Sequence, residues 1–237
     1  MFTPVLSLPI FVVNFKSYVW GREALKLARK MEEIAQESSV YLCAIPQIVD
    51  ISLIAKETKV PVFSPHLDSL TPGRGTGRVL PEAVKEAGAV GVLLNHSEYN
   101  LPLDVISKTM KRAREVGLIS MVASNSPQEA EAIAILEPEV IISEPSSRIG
   151  TLRSVGRDKE FVMQSIKRVK NVNPKIIVIC GAGVSSRKDV EALVELGVEG
   201  TGASRAIFEA EAPARILAEM VEGLESKWRI QSRGKQI

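Results

Sequence analysis

Ile10-Phe11-Val12-Val13-Asn14-Phe15-Lys16 is an apolar run that ends on a carboxamide, a ring and an ammonium. A short unbroken apolar run suits a strand buried on both faces, as in parallel sheets. An open, doubly wound sheet would normally place a Gly-x-Gly-x-x-Gly turn directly after its first strand, and here Asn14-Phe15-Lys16 stands in that place. A closed barrel has no such requirement. Its chemistry sits on polar groups at the carboxyl ends of its strands.

The same ending recurs outward along the chain. In Leu93-Leu94-Asn95-His96-Ser97-Glu98, an apolar run over residues 90–94 stops in a histidine, a hydroxyl and a carboxylate. Residues 60–63 end in Ser64-Pro65-His66, residues 140–143 in Glu144-Pro145, and residues 176–180, the clearest strand, in Gly181-Ala182-Gly183. Runs at 40–45, 118–123 and 198–201 complete a set of eight; the last is the weakest, because Glu199 and Gly200 interrupt it. Helical periodicity fills the intervals, at 22–36, 48–58, 81–87, 103–116, 127–136, 158–170, from the Ser185-Ser186 cap to 196, and at 213–224. Pro81 suits a first helical turn, Gly117 a C-cap, and Ser126-Pro127-Gln128-Glu129 an N-cap serine with an N1 proline and an early acid. Strands alternating with helices demand parallel pairing through right-handed crossovers. The predicted architecture is therefore α/β: one domain, an eight-stranded parallel (β/α)8 barrel over residues 1–225. A basic tail over 226–237, with Lys227, Arg229, Arg233 and Lys235, reads as solvated and partly frayed.

Composition narrows the class. The 237 residues are enough for one barrel core, and a net charge of +2 with no basic stripe points away from nucleic acid. No apolar run approaches the roughly 18–20 residues that cross a bilayer, and Met1-Phe2-Thr3-Pro4 lacks the basic start of a signal peptide. Cys43 and Cys180 each end a β-like run, which suits buried thiols in a reducing cytosol better than a disulfide or a zinc site. A cytoplasmic protein is expected, with no metal and neither membrane nor nucleic acid as partner.

In a barrel, Asn14, Lys16, His96, Glu144, Gly181, Gly183 and Gly202 converge on one mouth. The glycines after the seventh and eighth runs leave backbone N–H groups unobstructed ahead of helical segments, which suits phosphate. A single Gly-x-Gly would be only a turn; two at adjacent strand ends point to a small phosphorylated substrate. Its reactive end then faces the first, fourth and sixth strands, where Lys16 offers a cation, His96 a hydrogen-bond donor and Glu144 a carboxylate able to take a proton from carbon. Taken singly, Lys16 reads as a surface charge and Glu144 as a capping acid. Together they form a site for removing a proton beside a carbonyl.

Asn14-Phe15-Lys16, Asn95-His96-Ser97-Glu98, Glu144-Pro145 and Ile149-Gly150-Thr151, in this order and spacing, resemble triosephosphate isomerase. The short length, the stretch from Leu80 to Gly91 and Cys180-Gly181-Ala182-Gly183 are similar to its compact archaeal branch, over about residues 8–222. The resemblance implies a TIM barrel that needs no cofactor. It also implies an aldose–ketose isomerase of glycolysis and gluconeogenesis, interconverting dihydroxyacetone phosphate and glyceraldehyde 3-phosphate through an enediolate. Glu144 is then the base and His96 a neutral imidazole, its pKa lowered by a helical turn beginning near Ser97. Lys16 would stabilise the enediolate, Asn14 fix Lys16, and Glu98 orient the polar network. Amides of Gly150, Gly183, Gly202 and Ala203 would hold the phosphate, with Gly181, Ala182 and Ser204 beside them. Thr76 matches the residue that reaches into a neighbouring subunit, which implies a homodimer or a homotetramer.

Three departures from the family pattern stand out. After Glu144-Pro145 the archaeal pattern has a proline, an acid and a leucine before Ile-Gly-Thr-Gly; this chain reads Ser146-Ser147-Arg148-Ile149-Gly150-Thr151-Leu152, without the acid and the second glycine. That segment is the lid over 146–157, which Leu152 would stiffen and to which Arg148, Arg153 and Arg157 add charge. The eighth run carries Glu199-Gly200-Thr201, and Tyr99-Asn100 stands where many relatives have arginines. The unusual lid leaves two alternatives: a phosphate-ester-binding barrel with weak or no turnover, and an isomerase for a larger phosphorylated substrate.

Overall fold

A computed structural model describes residues 6–145 and 158–234. Eight strands, β1 (Ile10–Asn14), β2 (Tyr41–Ile45), β3 (Phe63–Ser64), β4 (Gly91–Leu94), β5 (Ile119–Ser124), β6 (Val140–Ser143), β7 (Ile177–Ile179) and β8 (Gly200–Ala203), pair in parallel in the orders β2-β1-β8 and β3-β4-β5-β6-β7. The helices between them are α1 (Gly21–Gln36), α2 (Ile51–Glu57) after a 3-10 turn at Ile48–Asp50, α3 (Pro81–Glu86), α4 (Leu103–Glu115) and α5 (Pro127–Ala134). They continue as α6 (Lys159–Val172), α7 (Arg187–Glu195), α8 (Arg205–Phe208) and α9 (Pro213–Gly234). None of the described helices is long and apolar enough to cross a membrane. The architecture is the TIM barrel expected from the eight alternating runs.

Alternation along each strand divides the core in two. Ile10, Val12, Cys43, Ile45, Leu93, Met121, Val140, Ile142 and Ile179 point into one apolar cluster. Their neighbours Phe11, Val13, Leu42, Ala44, Leu94, Val122, Ile141 and Val178 fall in a second cluster, shared with α1, α4, α6, α7 and α9. A strand's side chains alternate between its two faces, so one face fills the barrel and the other packs the helices. Local signals act as read: Ser126 and Ser186 accept N-cap hydrogen bonds from the Glu129 and Asp189 N–H groups, and Gly117 leaves α4 at φ 72°.

The two sheets meet at two seams. At one, the Ala44 N–H donates to the Pro61 carbonyl (2.9 Å); at the other, the Glu199 N–H donates to the Val178 carbonyl (2.9 Å), while the Glu199 carbonyl accepts from Ile10 (3.2 Å). Glu199, which made the eighth run look weak, works at this second seam. Its Oε2 accepts from the Val178 N–H at 2.9 Å and from the Lys170 Nζ at 2.7 Å, so a side chain supplies the acceptor missing from the ladder. Gly200 and Gly202 have a packing reason too. A Cβ would lie 2.4 Å from the Ile10 carbonyl oxygen at Gly200 and 2.6 Å from that of Val12 at Gly202. Gly202 therefore sits inside β8, against β1, rather than in a turn after it.

Several extents differ from expectation: β3 is only Phe63–Ser64 where 60–63 was read, and β8 lies at Gly200–Ala203 where 198–201 was read. The run read as the clearest strand forms only the three residues of β7, which stops short of Cys180 and the Gly181-Ala182-Gly183 turn. The last helix continues past 224 to Gly234, where fraying was expected. Trp228 packs on the helical core, Lys227 pairs with Glu195, and the Gln231 Nε2 donates to the Val194 carbonyl at 2.6 Å, which ties this stretch to α7.

Replacing Glu199 with alanine orphans the Val178 N–H and the Lys170 ammonium. Urea denaturation of Glu199→Ala should show about 2 kcal/mol less stability, whereas Glu199→Gln, which keeps an acceptor oxygen, should lose less than half of that. Equal stability for Glu199→Ala and the parent would show that the seam does not depend on this side chain.

Candidate active site

The carboxyl ends of β1, β4, β6, β7 and β8 surround a cavity of about 710 Å³, counting its open mouth. Asn14, Lys16, His96, Glu144, Gly181, Gly183 and Gly202, placed at one mouth by the spacing of the runs, line it, together with Ala182, Ala203 and Ser204. Glu98 does not line the cavity but reaches its edge through Lys16, and Thr76 is exposed on the loop after β3, away from the lining. Gly150, and with it the lid over 146–157, lies outside the described residues.

Lys16 leaves β1 with φ 46°, a left-handed backbone that disfavours a residue with a Cβ by roughly 1–2 kcal/mol. Two side chains hold it there. Asn14 Oδ1 accepts from the Lys16 N–H at 3.0 Å, and Gln47 Nε2 donates to the Lys16 carbonyl at 2.7 Å. Asn14 thus holds the main chain of Lys16. Gln47 was missed, since a glutamine after a strand-ending proline carries no signal until β2 is laid beside β1. The Lys16 ammonium pairs with Glu98 Oε1 at 2.6 Å; Lys16 is the more sheltered partner, its side chain 16% exposed against 58% for Glu98.

His96 is set by its own loop. The Glu98 N–H donates to His96 Nδ1 at 3.2 Å, so the neutral ring carries its hydrogen on Nε2. Burial lowers its pKa, the Lys16 charge lowers it further, and Glu98 opposes both. Burial and the Lys16 charge therefore favour the neutral imidazole, and the turn beyond Ser97 supplies the amide bonded to Nδ1.

Glu144 extends from β6, its N–H donating to the Ser124 carbonyl at 2.8 Å. The residue is half-buried, but its carboxyl end lies deep enough that burial raises the pKa from 4.5 to about 7, against the opposing pull of Lys16 and the Gly181 N–H. Gly181 makes room for it: a Cβ there would stand 2.8 Å from Glu144 Oε1. Burial also raises the pKa of both cysteine thiols, and Cys43 and Cys180 are free and buried, which suits packing and not nucleophilic chemistry. Arg205 is a further cavity residue the sequence did not single out; its Nε donates to Glu209 Oε2 at 2.8 Å.

A buried acid near neutrality, a neutral imidazole and an ammonium around one glycine-rimmed cavity define a (β/α)8-barrel enzyme equipped for acid–base chemistry on a small anion. Comparison with known proteins makes the class specific: a family model described as triosephosphate isomerase matches residues 9–222. The chain belongs to the triosephosphate isomerase family. It is 39% identical over 216 residues to the triosephosphate isomerase of Methanobacterium bryantii, covering 90% of this chain and 96% of that one. Identity to the Methanothermus fervidus protein of the same name is 40% over 216 residues, covering 90% of this chain and 97% of that one. A crystal structure of triosephosphate isomerase from Bartonella henselae shares the fold with a TM-score of 0.71 at 16% identity, covering 92% of this chain and 99% of that one.

The raised pKa of Glu144 has a stability consequence. Between pH 4.5 and about 7 the folded state holds a proton that the unfolded state has released, so stability falls as pH rises through that window. Glu144→Gln removes this penalty. At pH 8 the variant should be more stable than the parent by roughly 2–3 kcal/mol, with the gap closing toward pH 5. Equal denaturation midpoints at pH 8 would exclude a carboxylate desolvated in this way.

Proposed function

We propose that this protein interconverts dihydroxyacetone phosphate and glyceraldehyde 3-phosphate by proton transfer through an enediolate. Glu144 is the base that moves the proton between the two carbons. His96, with its hydrogen on Nε2, donates to the carbonyl and enediolate oxygens. Lys16 offers its ammonium to the same developing charge once substrate competes with Glu98 for it. Backbone amides at Gly183, Gly202 and Ala203, with Gly181, Ala182 and Ser204 beside them, take the phosphate, and Gly150 of the lid completes its cradle. No cofactor enters this scheme. The observation that carries it is that the Glu144 carboxyl, the His96 ring with its hydrogen on Nε2 and the Lys16 ammonium line one cavity. A base near the working pH and a neutral donor are what abstraction of a proton next to a carbonyl needs.

The same reading makes the protein a cytoplasmic enzyme of glycolysis and gluconeogenesis. It acts as a homodimer or homotetramer, with the exposed loop carrying Thr76 reaching a neighbouring subunit. The isomerase name carried by relatives covering nine-tenths of the chain favours turnover over a binding-only barrel.

Steady-state turnover of glyceraldehyde 3-phosphate tests the proposal. Glu144→Ala should lower kcat by about a thousandfold. The parent's kcat/KM should fall on the acid side with a midpoint near pH 7, where Glu144 takes up its proton. A parent preparation no faster than Glu144→Ala would overturn the assignment.

A further inference from the structure

The β4 ladder stops at Leu94, paired with Val122, and the next residue, Asn95, turns the backbone left-handed at φ 59°. Asn95 is 2% exposed, and both ends of its side chain are engaged. Nδ2 donates to the Ala123 carbonyl (2.9 Å) and to Glu129 Oε1 (2.8 Å), and Oδ1 accepts from the Leu101 N–H (2.8 Å). The amide thus continues the bonding of β4 to β5 one residue beyond the point where the main chain has left the sheet.

Glu129 is itself anchored in the first turn of α5. Ser126 Oγ accepts its N–H, and its Oε2 accepts from the Asn125 N–H at 2.7 Å. Asn125 Nδ2 reaches Asn100 Oδ1 at 3.2 Å, and Asn100 Nδ2 reaches the Ser97 carbonyl at 3.2 Å. The loop from 95 to 101 is therefore tied at its start, middle and end. Inside it stand the Tyr99 N–H to His96 carbonyl bond (2.7 Å) and the Glu98 N–H to His96 Nδ1 bond (3.2 Å). Which ring nitrogen of His96 carries the hydrogen depends on that Glu98 amide staying in place.

We propose that Asn95, braced by Glu129, is a positioning residue that sets the place and the tautomer of His96. This rests on the isomerase reading of the cavity, although the state of the ring can be measured without turnover. A glycine would accept the left-handed backbone at no steric cost but could not bridge the Ala123 carbonyl, Glu129 and the Leu101 N–H. The bridge, and not the turn, is what asparagine adds. Lys16 and Glu98 act on the ring directly, Glu144 lines the same cavity, and Glu129 stands behind Asn95.

The test is ring-nitrogen NMR of the two histidines, His66 and His96, together with turnover, in Asn95→Gly, Glu129→Ala, Glu129→Gln and Glu139→Ala. Glu139 caps the Ser120 N–H at 2.8 Å at the opposite end of β5, so it serves as a control for loosened structure alone. Asn95→Gly should change His96 from one Nε2–H tautomer to a mixture. Its kcat should fall about 10- to 100-fold, the scale of a displaced catalytic group, with KM within about threefold. Glu129→Ala should act in the same direction, Glu129→Gln, which keeps one acceptor oxygen but sets its amide NH2 against a donor, should fall between Glu129→Ala and the parent, and Glu139→Ala should leave ring and kcat unchanged. A folded Asn95→Gly with the parent's ring signals overturns the proposal, as does an equal change in Glu139→Ala. If Asn95→Gly does not fold, Glu129→Ala decides by the same signals. If the parent shows no turnover, the isomerase reading falls, and the ring signals of Asn95→Gly alone decide the role of Asn95.

Discussion

Burial on both faces of the barrel wall is the constraint from which the rest follows. Residues such as Val12 and Ile142 fill the inside while Phe11 and Ile141 meet the helices, so neither face of these strands has room for an unpaired charge. The buried polar side chains within the strands are small hydroxyls: Ser64, Ser120, Ser124, Ser143 and Thr201. Among the described residues no Asp, Glu, Lys or Arg lies within a strand; charged groups lie in helices, loops and the segments just beyond strand ends. At the carboxyl ends of β1, β4 and β6 this placement brings Lys16, His96 and Glu144 to one cavity.

The half-desolvated mouth then shapes the chemistry. Burial opposes charge on both titrating groups, raising Glu144 to about 7 and lowering His96. Lys16 acts on both with opposite consequences: its charge restrains the rise of Glu144 and reinforces the fall of His96. One ammonium thus leaves a base that can still ionise near neutral pH beside a ring that stays uncharged. The left-handed backbone of Lys16, held by Asn14 and Gln47, is what places that ammonium. Its pairing with Glu98 keeps the charge at the mouth rather than in solvent.

The backbone ladder is incomplete at the seam between β7 and β8 and just past the end of the β4–β5 pairing, and side chains complete it in both places. Glu199 supplies an acceptor to Val178 between β7 and β8, and Asn95 supplies a donor to Ala123 between β4 and β5. Both interrupt apolar patterns in sequence. A polar residue at the edge of a buried ladder is tolerated when it replaces a main-chain partner, because an unsatisfied buried N–H or carbonyl is the more costly alternative.

The sequence by itself determined the eight-unit alternation, the parallel pairing it requires and the convergence of Asn14, Lys16, His96, Glu144 and the glycines on one mouth. These follow from periodicity and local chemistry: apolar runs, the caps at Ser126 and Ser186, and the exit at Gly117. Only the tertiary structure decided that Gly202 is bare because β1 lies against it, that Glu199 mends a seam, that the last helix runs on along α7, and that Gln47, Asn95 and Arg205 belong to the site's surroundings. Each of those facts concerns what lies across from a residue and not beside it in the chain. Local sequence sets which faces a segment buries, whereas the partner across a barrel is chosen only when all eight strands pair.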